Sequence, residues 1–219
     1  MTDKPFSPSC ERNQAAILAV LRKYFFDRRA VLEIGSGTGQ HAVHFAAGMP
    51  WLGWQCSDHV DALPGIRLWL DDTGLVNTPP PLALQAMLLP QPGLAPPLSS
   101  RYDAVFSANT LHIMGWPEVQ ALFAGLPMAM TDDAMLTVYG PFNEHGNFSS
   151  DSNREFDASL KARDPRSGIR DIEAVHALAE GIGLWRAADI AMPANNRMLV
   201  WRRGRRRAHD AAVQSPFQG

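Results

Sequence analysis

Three closely spaced glycines follow a short apolar run near the start of the chain. Gly35, Gly37 and Gly39 come directly after residues 31–34, which read Val-Leu-Glu-Ile. Glycine has no β-carbon to hold a ligand away from the backbone. The first strand-to-helix turn of an open α/β sheet presents N–H groups at the ligand-binding edge. This spacing predicts a cofactor-binding loop, and its members are Glu33, Gly35, Ser36, Gly37, Thr38 and Gly39.

Two common nucleotide-binding motifs do not fit this loop. The dinucleotide fingerprint has its third glycine where this chain has Gln40, which disfavours a nicotinamide cofactor and leaves an NAD-dependent oxidoreductase as a weaker alternative. No Lys-Ser or Lys-Thr pair follows the glycines, so a P-loop is excluded. Asp58 comes about 23 residues after Gly35, at the expected end of the second strand, where a carboxylate can accept hydrogen bonds from both hydroxyls of a ribose.

A second polar segment follows the expected fourth strand and contains Asn109 and His112. A neutral histidine can remove a proton from an oxygen, nitrogen or thiol nucleophile at pH 7. The alternative is a histidine that orients the substrate or fixes the loop by hydrogen bonds. We predict that Asn109 and His112 serve catalysis and that Asn109 also contacts the cofactor.

Aromatic and amide side chains are frequent after the fifth expected strand and in a turn near residue 195. Aromatic faces attract a cationic ligand, and amides can hold a small polar substrate. Packing in the core and a purely conformational turn are the alternatives. The predicted substrate-binding residues, with one from the first helix, are Arg12, Tyr139, Phe142, Asn143, Asn153, Asn195 and Asn196.

His41 comes directly after the glycine loop, where its ring could contact the cofactor. His41 and His44 are three residues apart on a predicted helix and could share a metal ion, but no carboxylate or thiol at suitable spacing completes a ligand set. The sequence therefore predicts a cofactor contact for His41 and no metal site.

Short β-like runs alternate with helix-like stretches, which favours a parallel sheet covered by helices on both faces. The expected strands are residues 30–34, 51–56, 82–87, 104–107, 135–139, 184–192 and 198–201. Ser7 and Pro8 are typical of a helix start, a second helix is expected over residues 40–47, and Asp171 is the expected cap of a helix that runs to about Gly181.

The remaining segments are expected to be connections. A Pro-rich tract at residues 90–100 predicts a surface loop, and residues 140–171 predict a long lid. Asn195 and Asn196 suit the positive φ angles of a tight hairpin turn. The final strand is therefore expected to be antiparallel to its neighbour.

Composition restricts the possible partners. The 219 residues carry a formal net charge of -2, which gives no general attraction to nucleic acid or to anionic membranes. Two cysteines are too few for a disulfide framework, and no run of about 18 apolar residues is present. We expect a cytoplasmic protein that acts on a small molecule, with one domain over residues 1–203 and a disordered basic tail over residues 204–219.

An acid two residues before Gly-x-Gly-x-Gly resembles the first motif of class I S-adenosylmethionine-dependent methyltransferases. The chain also resembles the methyltransferase-like protein 26 family, catalogued as domain of unknown function 938, from about residue 5 to residue 203. The stretches that carry this resemblance are FSPSCERN, VLEIGSGTGQHAVHFA, FSANTLHIMGW, YGPFNEHGNFSSDSNREFDASLKARDP, GIRD and PANN. The resemblance implies a Rossmann-like α/β fold whose seven-stranded sheet is mostly parallel, with an antiparallel last strand and helices on both faces.

The same resemblance implies S-adenosylmethionine as cofactor, S-adenosylhomocysteine as product and a small-molecule acceptor of unknown identity. Similar proteins end the third strand in Leu-Asp-Val, whereas this chain has Leu84, Gln85 and Ala86, so the Gln85 amide is the candidate contact to the adenine. The segment Asn-Thr-Leu-His differs from the Asn-Pro-Pro-aromatic signature of amino-group methyltransferases, which weakens a nucleic-acid or glutamine substrate. A non-catalytic protein that binds S-adenosylmethionine or a partner is the alternative, and the oligomeric state is left open.

Overall fold

Helices and strands alternate in the computed structural model, which describes residues 4–88 and 91–204. The helices are α1 (Pro8–Tyr24), α2 (Gln40–Gly48), α3 (Leu63–Thr73), α4 (Trp116–Ala129), α5 (Asp151–Arg163) and α6 (Ile172–Gly181), and a short 3₁₀ helix (Val60–Ala62) precedes α3. The strands are β1 (Ala30–Ile34), β2 (Gly53–Asp58), β3 (Leu82–Ala83), β4 (Gln85–Met87), β5 (Gly93–Ala95), β6 (Tyr102–Ala108), β7 (Met130–Gly140), β8 (Phe142–Asn143), β9 (Arg170–Asp171), β10 (Leu184–Met192) and β11 (Asn196–Arg203).

Seven of these strands form one sheet in the order β10-β11-β7-β6-β1-β2-β3. The pairs from β7 to β3 are parallel, whereas β11 is antiparallel to both β7 and β10. This arrangement confirms the predicted α/β class, with a mostly parallel seven-stranded sheet and an antiparallel last strand. The carboxyl ends of β1, β2, β6 and β7 meet at one edge, where the glycine loop follows β1, Asp58 ends β2, and Asn109 and His112 follow β6.

Apolar side chains from helices cover both faces of the sheet. On one face Ile17 of α1, Phe45 of α2 and Ile66 of α3 pack with Trp54 and Phe106, and all five are fully buried. On the other face α4 and α6 pack against the strands through Leu122, Leu126, Val175, Val105 and Leu136. The glycine loop is therefore supported by rigid elements on both sides of the sheet.

The first two predicted elements agree closely with the structure. The hydroxyl of Ser7 accepts a hydrogen bond from the N–H of Cys10 and caps α1, and Pro8 is its first residue. Strand β1 has the predicted bounds. Strand β2 begins two residues later than predicted, because residues 49–52 close a turn in which Leu52 N–H donates to the Met49 carbonyl.

The third predicted strand, residues 82–87, is wrong as a single strand. Leu82 and Ala83 pair with Ser57 and Asp58, the last two residues of β2. Beyond Asp58, β2 offers no further residues for pairing. The chain then leaves the sheet, and Gln85–Met87 pairs antiparallel with Gly93–Ala95 in a separate hairpin. The Pro-rich tract is therefore not simply a loop, since it contributes β5, although residues 89 and 90 lie outside the described part.

The predicted lid also contains regular structure. Helix α5 lies within it, capped by the Ser150 hydroxyl, which accepts from the Asn153 N–H. The short strands β8 and β9 pair in parallel at its two ends. Helix α6 follows Asp171 as predicted and ends at Gly181.

The hairpin between β10 and β11 differs in detail from the prediction. Positive φ angles occur at Ala194 (57°) and Asn195 (56°), one position earlier than expected, because Asn196 already belongs to β11. The predicted disordered tail, apart from its first residue Gly204, lies outside the described residues. Among residues 4–88 and 91–204, no helix has the length and apolar character needed to span a membrane.

Candidate cofactor and acceptor site

The glycine loop turns sharply between β1 and α2. Gly35, Gly37 and Gly39 have φ angles of 74°, 58° and 89°, a region that residues with a β-carbon rarely adopt. The N–H groups of Gly35 and Ser36 both donate to the Ser57 carbonyl at 3.0 Å. A β-carbon on Gly37 would have no atom within 4 Å, so this residue faces open space. The loop is thus fixed at its base and accessible at Gly37, as a ligand cradle requires.

Glu33 lies beneath this loop. Only 2% of its surface is exposed, and its Oε2 accepts hydrogen bonds from the Ser36 hydroxyl and the Trp54 indole, each at 2.9 Å. Burial raises the pKa of Glu33 to about 7, although the two hydrogen bonds act in the opposite direction. Burial and the nearby Glu33 charge also raise the pKa of the Cys56 thiol. In this position Glu33 supports the loop through Ser36.

Asp58 is the last residue of β2 and lies beside the loop. Its Oδ2 accepts a hydrogen bond from the Gly37 N–H at 2.7 Å, and its Oδ1 accepts one from the His59 N–H at 2.7 Å. The sequence prediction placed Asp58 at the end of the second strand, and the structure brings it to the middle glycine. A carboxylate with two oxygens has further lone pairs that can accept from a ligand hydroxyl.

The segment before α1 crosses from α3 to the glycine loop. Trp69 of α3 donates through its indole to the Pro5 carbonyl at 2.7 Å, and Lys4 lies over the same indole ring at 4.0 Å. At the other end, the Gln40 side-chain oxygen accepts from the Ser7 N–H and from the Thr38 hydroxyl. We call residues 4–7 the N-terminal strap. Sequence reasoning missed Gln40, whose only signal was its position where a dinucleotide loop has glycine.

His41 faces the first helix. Its Nε2 is 2.7 Å from the Asn13 side-chain oxygen, and its ring stacks on Phe45 with centroids 5.0 Å apart. Burial lowers the pKa of His41 to about 4, with a further contribution from His44. This placement makes His41 a contact between α1 and α2, and the same Asn13 interacts with the hydroxyl of Tyr139.

Tyr139 and Arg12 therefore differ in their surroundings. Tyr139 is buried in the core on the α1 side of the sheet, with 3% of its surface exposed. Arg12 is exposed on α1, where its guanidinium donates to the Ser9 hydroxyl at 3.1 Å. Of these two predicted substrate residues, only Arg12 presents its polar group to solvent.

Asn109 and His112 follow β6 and face the end of β7. Asn109 has a φ of 57°, and its N–H donates to the Tyr139 carbonyl at 2.9 Å. The position that a β-carbon would take on Gly140 is 3.8 Å from His112 Nδ1 and 3.9 Å from Asn109 Oδ1. The two predicted catalytic side chains are thus brought together over the glycine that ends β7.

The His112 ring is enclosed. It is 6% exposed and meets the Phe156 ring edge-on, with centroids 5.2 Å apart. Burial lowers the pKa of His112 to about 4, and the charges of Arg170 and Arg163 lower it further. His112 is therefore neutral at pH 7, the form that can accept a proton.

Residues 167–170 hold the loop that carries His112. Sequence reasoning missed this function. Arg170 donates to the carbonyls of Leu111 and Met114, the first at 3.1 Å. The Gly168 N–H donates to the His112 carbonyl at 2.9 Å, and the Ser167 hydroxyl donates to the Ile113 carbonyl at 2.7 Å. A surface cation in sequence carries no signal that its guanidinium will bind backbone carbonyls.

The amides predicted to bind substrate have different environments. Asn153 is buried, and its side chain donates to the Ser149 hydroxyl and the Asn195 carbonyl at 2.8 and 3.2 Å. The Asn195 amide donates to the Ser152 hydroxyl, and the Asn196 amide donates to carbonyls in its own turn. Asn153 and Asn195 therefore attach the start of α5 to the hairpin turn, and Asn196 stabilises the turn itself.

Two further predicted substrate residues lie in β8. Phe142 is 3% exposed and packs in the hydrophobic core. Asn143 is 8% exposed, and its Oδ1 has no hydrogen-bond partner on the protein. Among the residues predicted to bind substrate, Asn143 thus has a buried side-chain oxygen that can still accept a hydrogen bond from a ligand.

Gln85, the predicted adenine contact, lies in the β4–β5 hairpin rather than in the main sheet. Its side chain is exposed and lies 3.4 Å from the Met87 sulfur. Within residues 4–88 and 91–204, no group of three or more His, Cys, Asp or Glu residues could hold a metal ion.

Comparison with known proteins identifies a family and a fold. A model of the family described as "Protein of unknown function (DUF938)" matches residues 4–203. An O-methyltransferase family protein from Burkholderia thailandensis superposes with a TM-score of 0.74 at 13% identity, covering 87% of this chain and 56% of that one. The S-adenosylmethionine-dependent methyltransferase SibL in its apo form gives 0.73 at 18% identity, with coverage of 90% and 56%.

A third structure, PigF with SAH, gives a TM-score of 0.69 at 14% identity and covers 86% of this chain and 55% of that chain. This chain therefore spans little more than half the length of the structures it matches. At these identities the likeness establishes a Rossmann-like methyltransferase fold.

Proposed function

This chain belongs to the DUF938 family, and on that premise we propose that it transfers a methyl group from S-adenosylmethionine to a small-molecule acceptor. The finer kinship with methyltransferase-like protein 26 is part of the same proposal, as is a cytoplasmic location. The solved structures of similar fold include proteins named as S-adenosylmethionine-dependent and O-methyltransferases. An oxygen nucleophile is therefore the first acceptor type to test.

One observation carries the proposal: the Asp58 carboxylate lies 2.7 Å from the N–H of Gly37, beside a loop with three positive-φ glycines. A nucleoside offers two ribose hydroxyls to such an acid and polar groups to such a loop. Gly37 faces open space, so the residues present fit the cofactor. Asp58 would hold the ribose, and the backbone of the glycine loop, which lacks a β-carbon at Gly37, would lie against the rest of the molecule.

When bound, S-adenosylmethionine supplies a methyl group that is already electrophilic because its sulfur is a sulfonium. The remaining work of the chain is to align a nucleophile and exclude water. Asn109 and His112 support this role, because both face Gly140 at the carboxyl edge of the sheet. Phe156 packs against the His112 ring.

His112 is the candidate proton acceptor. Its burial and the charges of Arg170 and Arg163 lower its pKa to about 4, so the imidazole is neutral at pH 7 and is a weak base. A proton lost by a hydroxyl nucleophile could then pass to a ring nitrogen. The alternative, a histidine that only orients the acceptor, predicts a smaller loss of rate when His112 is replaced by Gln.

Calorimetry with S-adenosylhomocysteine tests the cofactor assignment. Gly37→Val adds a branched side chain at a positive φ in the cradle, and Asp58→Ala removes the ribose acceptor; each should weaken binding, the second by about 1 to 3 kcal/mol. Asp61→Ala is the matched control, because Asp61 is an exposed acid of the following 3₁₀ helix. NAD should bind neither the protein nor its variants.

Three results separate the alternatives. Binding of NAD in place of S-adenosylhomocysteine would favour the oxidoreductase and contradict the proposal. Equal binding by wild-type protein and Asp58→Ala would contradict the ribose assignment. Tight cofactor binding without turnover of any hydroxyl, amine or thiol acceptor would favour a non-catalytic binding protein.

A further inference from the structure

The side-chain oxygen of Asn143 is a buried acceptor without a partner on the protein. Asn143 is 8% exposed and ends β8, three residues beyond Gly140. Phe142 packs in the core, and successive side chains of a strand point to opposite sides. The Asn143 side chain therefore points away from the core that Phe142 enters.

The contrast with neighbouring amides is informative. The Asn153 side chain is buried to a similar extent but donates two hydrogen bonds within the protein, and Asn195 and Asn196 are also bonded. Among the described residues, His44 Nε2 and Thr137 Oγ1 are also buried side-chain atoms without a hydrogen-bond partner. Neither residue belongs to the predicted substrate-binding set. Asn143 thus has a buried side-chain oxygen that no protein group satisfies, in the short strand that follows Gly140, the glycine that His112 and Asn109 face.

An unsatisfied buried acceptor is unfavourable, because it loses hydration without gaining a protein donor. A group that destabilises the resting protein is common at functional sites, where a ligand satisfies it on binding. The amide oxygen of Asn143 does not take up a proton near neutral pH and can only accept a hydrogen bond, whereas the NH2 group of the same side chain donates. A ligand group that meets this oxygen must therefore be a hydrogen-bond donor.

We propose that Asn143 accepts a hydrogen bond from a second donor group of the methyl acceptor, separate from the nucleophile that faces His112. The acceptor class is then a small molecule with at least two hydrogen-bond donors, the nucleophile and a second hydroxyl or amine group. This inference rests on the proposed methyltransferase function. It assigns Asn143 a role in acceptor selection and none in cofactor binding.

The first test measures stability and needs no substrate. Asn143→Leu replaces the unpaired amide by an apolar side chain of similar size and should raise the Tm by at least about 2 °C. Asn153→Leu is the matched control: it removes two hydrogen bonds and should lower the Tm. A fall in the Tm of Asn143→Leu would show that the oxygen is already satisfied and would overturn the proposal.

The second test measures binding of two matched probes, resorcinol and 3-methoxyphenol, to protein saturated with S-adenosylhomocysteine. The two molecules have the same ring, but methylation of one hydroxyl removes the second donor. Wild-type protein should bind resorcinol about 2- to 10-fold more tightly, and Asn143→Leu should bind both equally. The assignment would be overturned if wild-type protein binds the two probes equally, or if the preference for resorcinol persists in Asn143→Leu.

S-adenosylhomocysteine binding is measured first in every variant. Its absence from wild-type protein would overturn the methyltransferase proposal and, with it, this inference. If Asn143→Leu alone fails to bind S-adenosylhomocysteine, Asn143 contributes to the cofactor site, which would overturn its assignment to the methyl acceptor. Failure of the probe comparison with the cofactor product bound contradicts only the role of Asn143.

Discussion

The side-chain oxygen of Gln40 accepts a hydrogen bond from the backbone N–H of Ser7, although 33 positions of the chain separate them. The same oxygen accepts from the Thr38 hydroxyl of the glycine loop at 2.9 Å. One buried side chain therefore connects the N-terminal strap to the loop proposed to hold the cofactor.

Gln40→Ala should release the strap without unfolding the protein. The Ser7 N–H loses its acceptor, which is worth about 1 to 3 kcal/mol, or roughly a 5- to 150-fold rise in local opening. Hydrogen exchange at Ser7 measures this directly. Gln120→Ala, an exposed change on α4, is the control and should leave Ser7 exchange unaltered. Unchanged exchange in Gln40→Ala would contradict the connection.

Glu33→Gln should make stability less dependent on pH. The folded-state pKa of about 7 lies above the ordinary value of 4.5, so the folded protein binds a proton that the unfolded chain releases between these values. Stability linked to Glu33 is present below pH 4.5 and is lost as the pH rises through 7. Gln keeps an oxygen for Ser36 and Trp54 and removes the buried charge.

The variant should therefore be more stable than wild-type protein at pH 8, by up to about 3 kcal/mol, and equally stable near pH 4.5. Urea unfolding between pH 4.5 and 8 measures the difference. Glu155→Gln, on the exposed face of α5, controls for the loss of one carboxylate. A Glu33→Gln protein that is less stable than wild type at pH 8 would show that the carboxylate itself is required.

Arg170→Met should raise the pKa of His112. The Arg170 charge lowers that pKa, but burial of the ring is the larger cause, so the new value should remain below 6.5. NMR of the imidazole signals between pH 3 and 7 measures the change. Arg154→Met, an exposed change on α5, should have no effect. A His112 pKa that is unchanged in Arg170→Met would argue against the electrostatic contact.

Gly125→Ala should destabilise the protein although Ala favours helices. A β-carbon at Gly125 would lie 2.5 Å from the backbone nitrogen of Leu94, so α4 and the β4–β5 hairpin would have to separate. We expect a loss of about 1 to 3 kcal/mol. Gly181→Ala, at the end of α6 with no atom within 4 Å, should be neutral or stabilising. Thermal unfolding of both variants measures the contrast, and equal Tm values would contradict the close packing.

Local sequence signals predicted the elements that position the site. Ser7 and Pro8 marked the start of α1, the bounds of β1 were predicted correctly, and Asn195 marked the hairpin turn. These predictions succeeded because caps, turns and buried strands depend on a few adjacent residues. The break after Ala83 was not predictable in this way, since it depends on where the neighbouring β2 ends.

The long segment before Asp171 shows the same limit. Its polar composition predicted a lid, and helix α5 has too few apolar residues for a clear helical period. The helix is held by contacts made at a distance: Asp157 accepts from the Ile169 N–H, and Asn153 bonds to Asn195. Such contacts carry no local signal in the sequence.

By itself the sequence determined the α/β alternation, the glycine loop after β1 and the presence of an acid at the end of β2. Each depends on residue type and on spacing within one element or turn. Only the tertiary structure decided which polar groups form hydrogen bonds within the protein: Glu33 with Ser36 and Trp54, His41 with Asn13, and Arg170 with backbone carbonyls. It also left the side-chain oxygen of Asn143 without a partner, because hydrogen-bond satisfaction depends on groups that come together only when distant strands and helices pack.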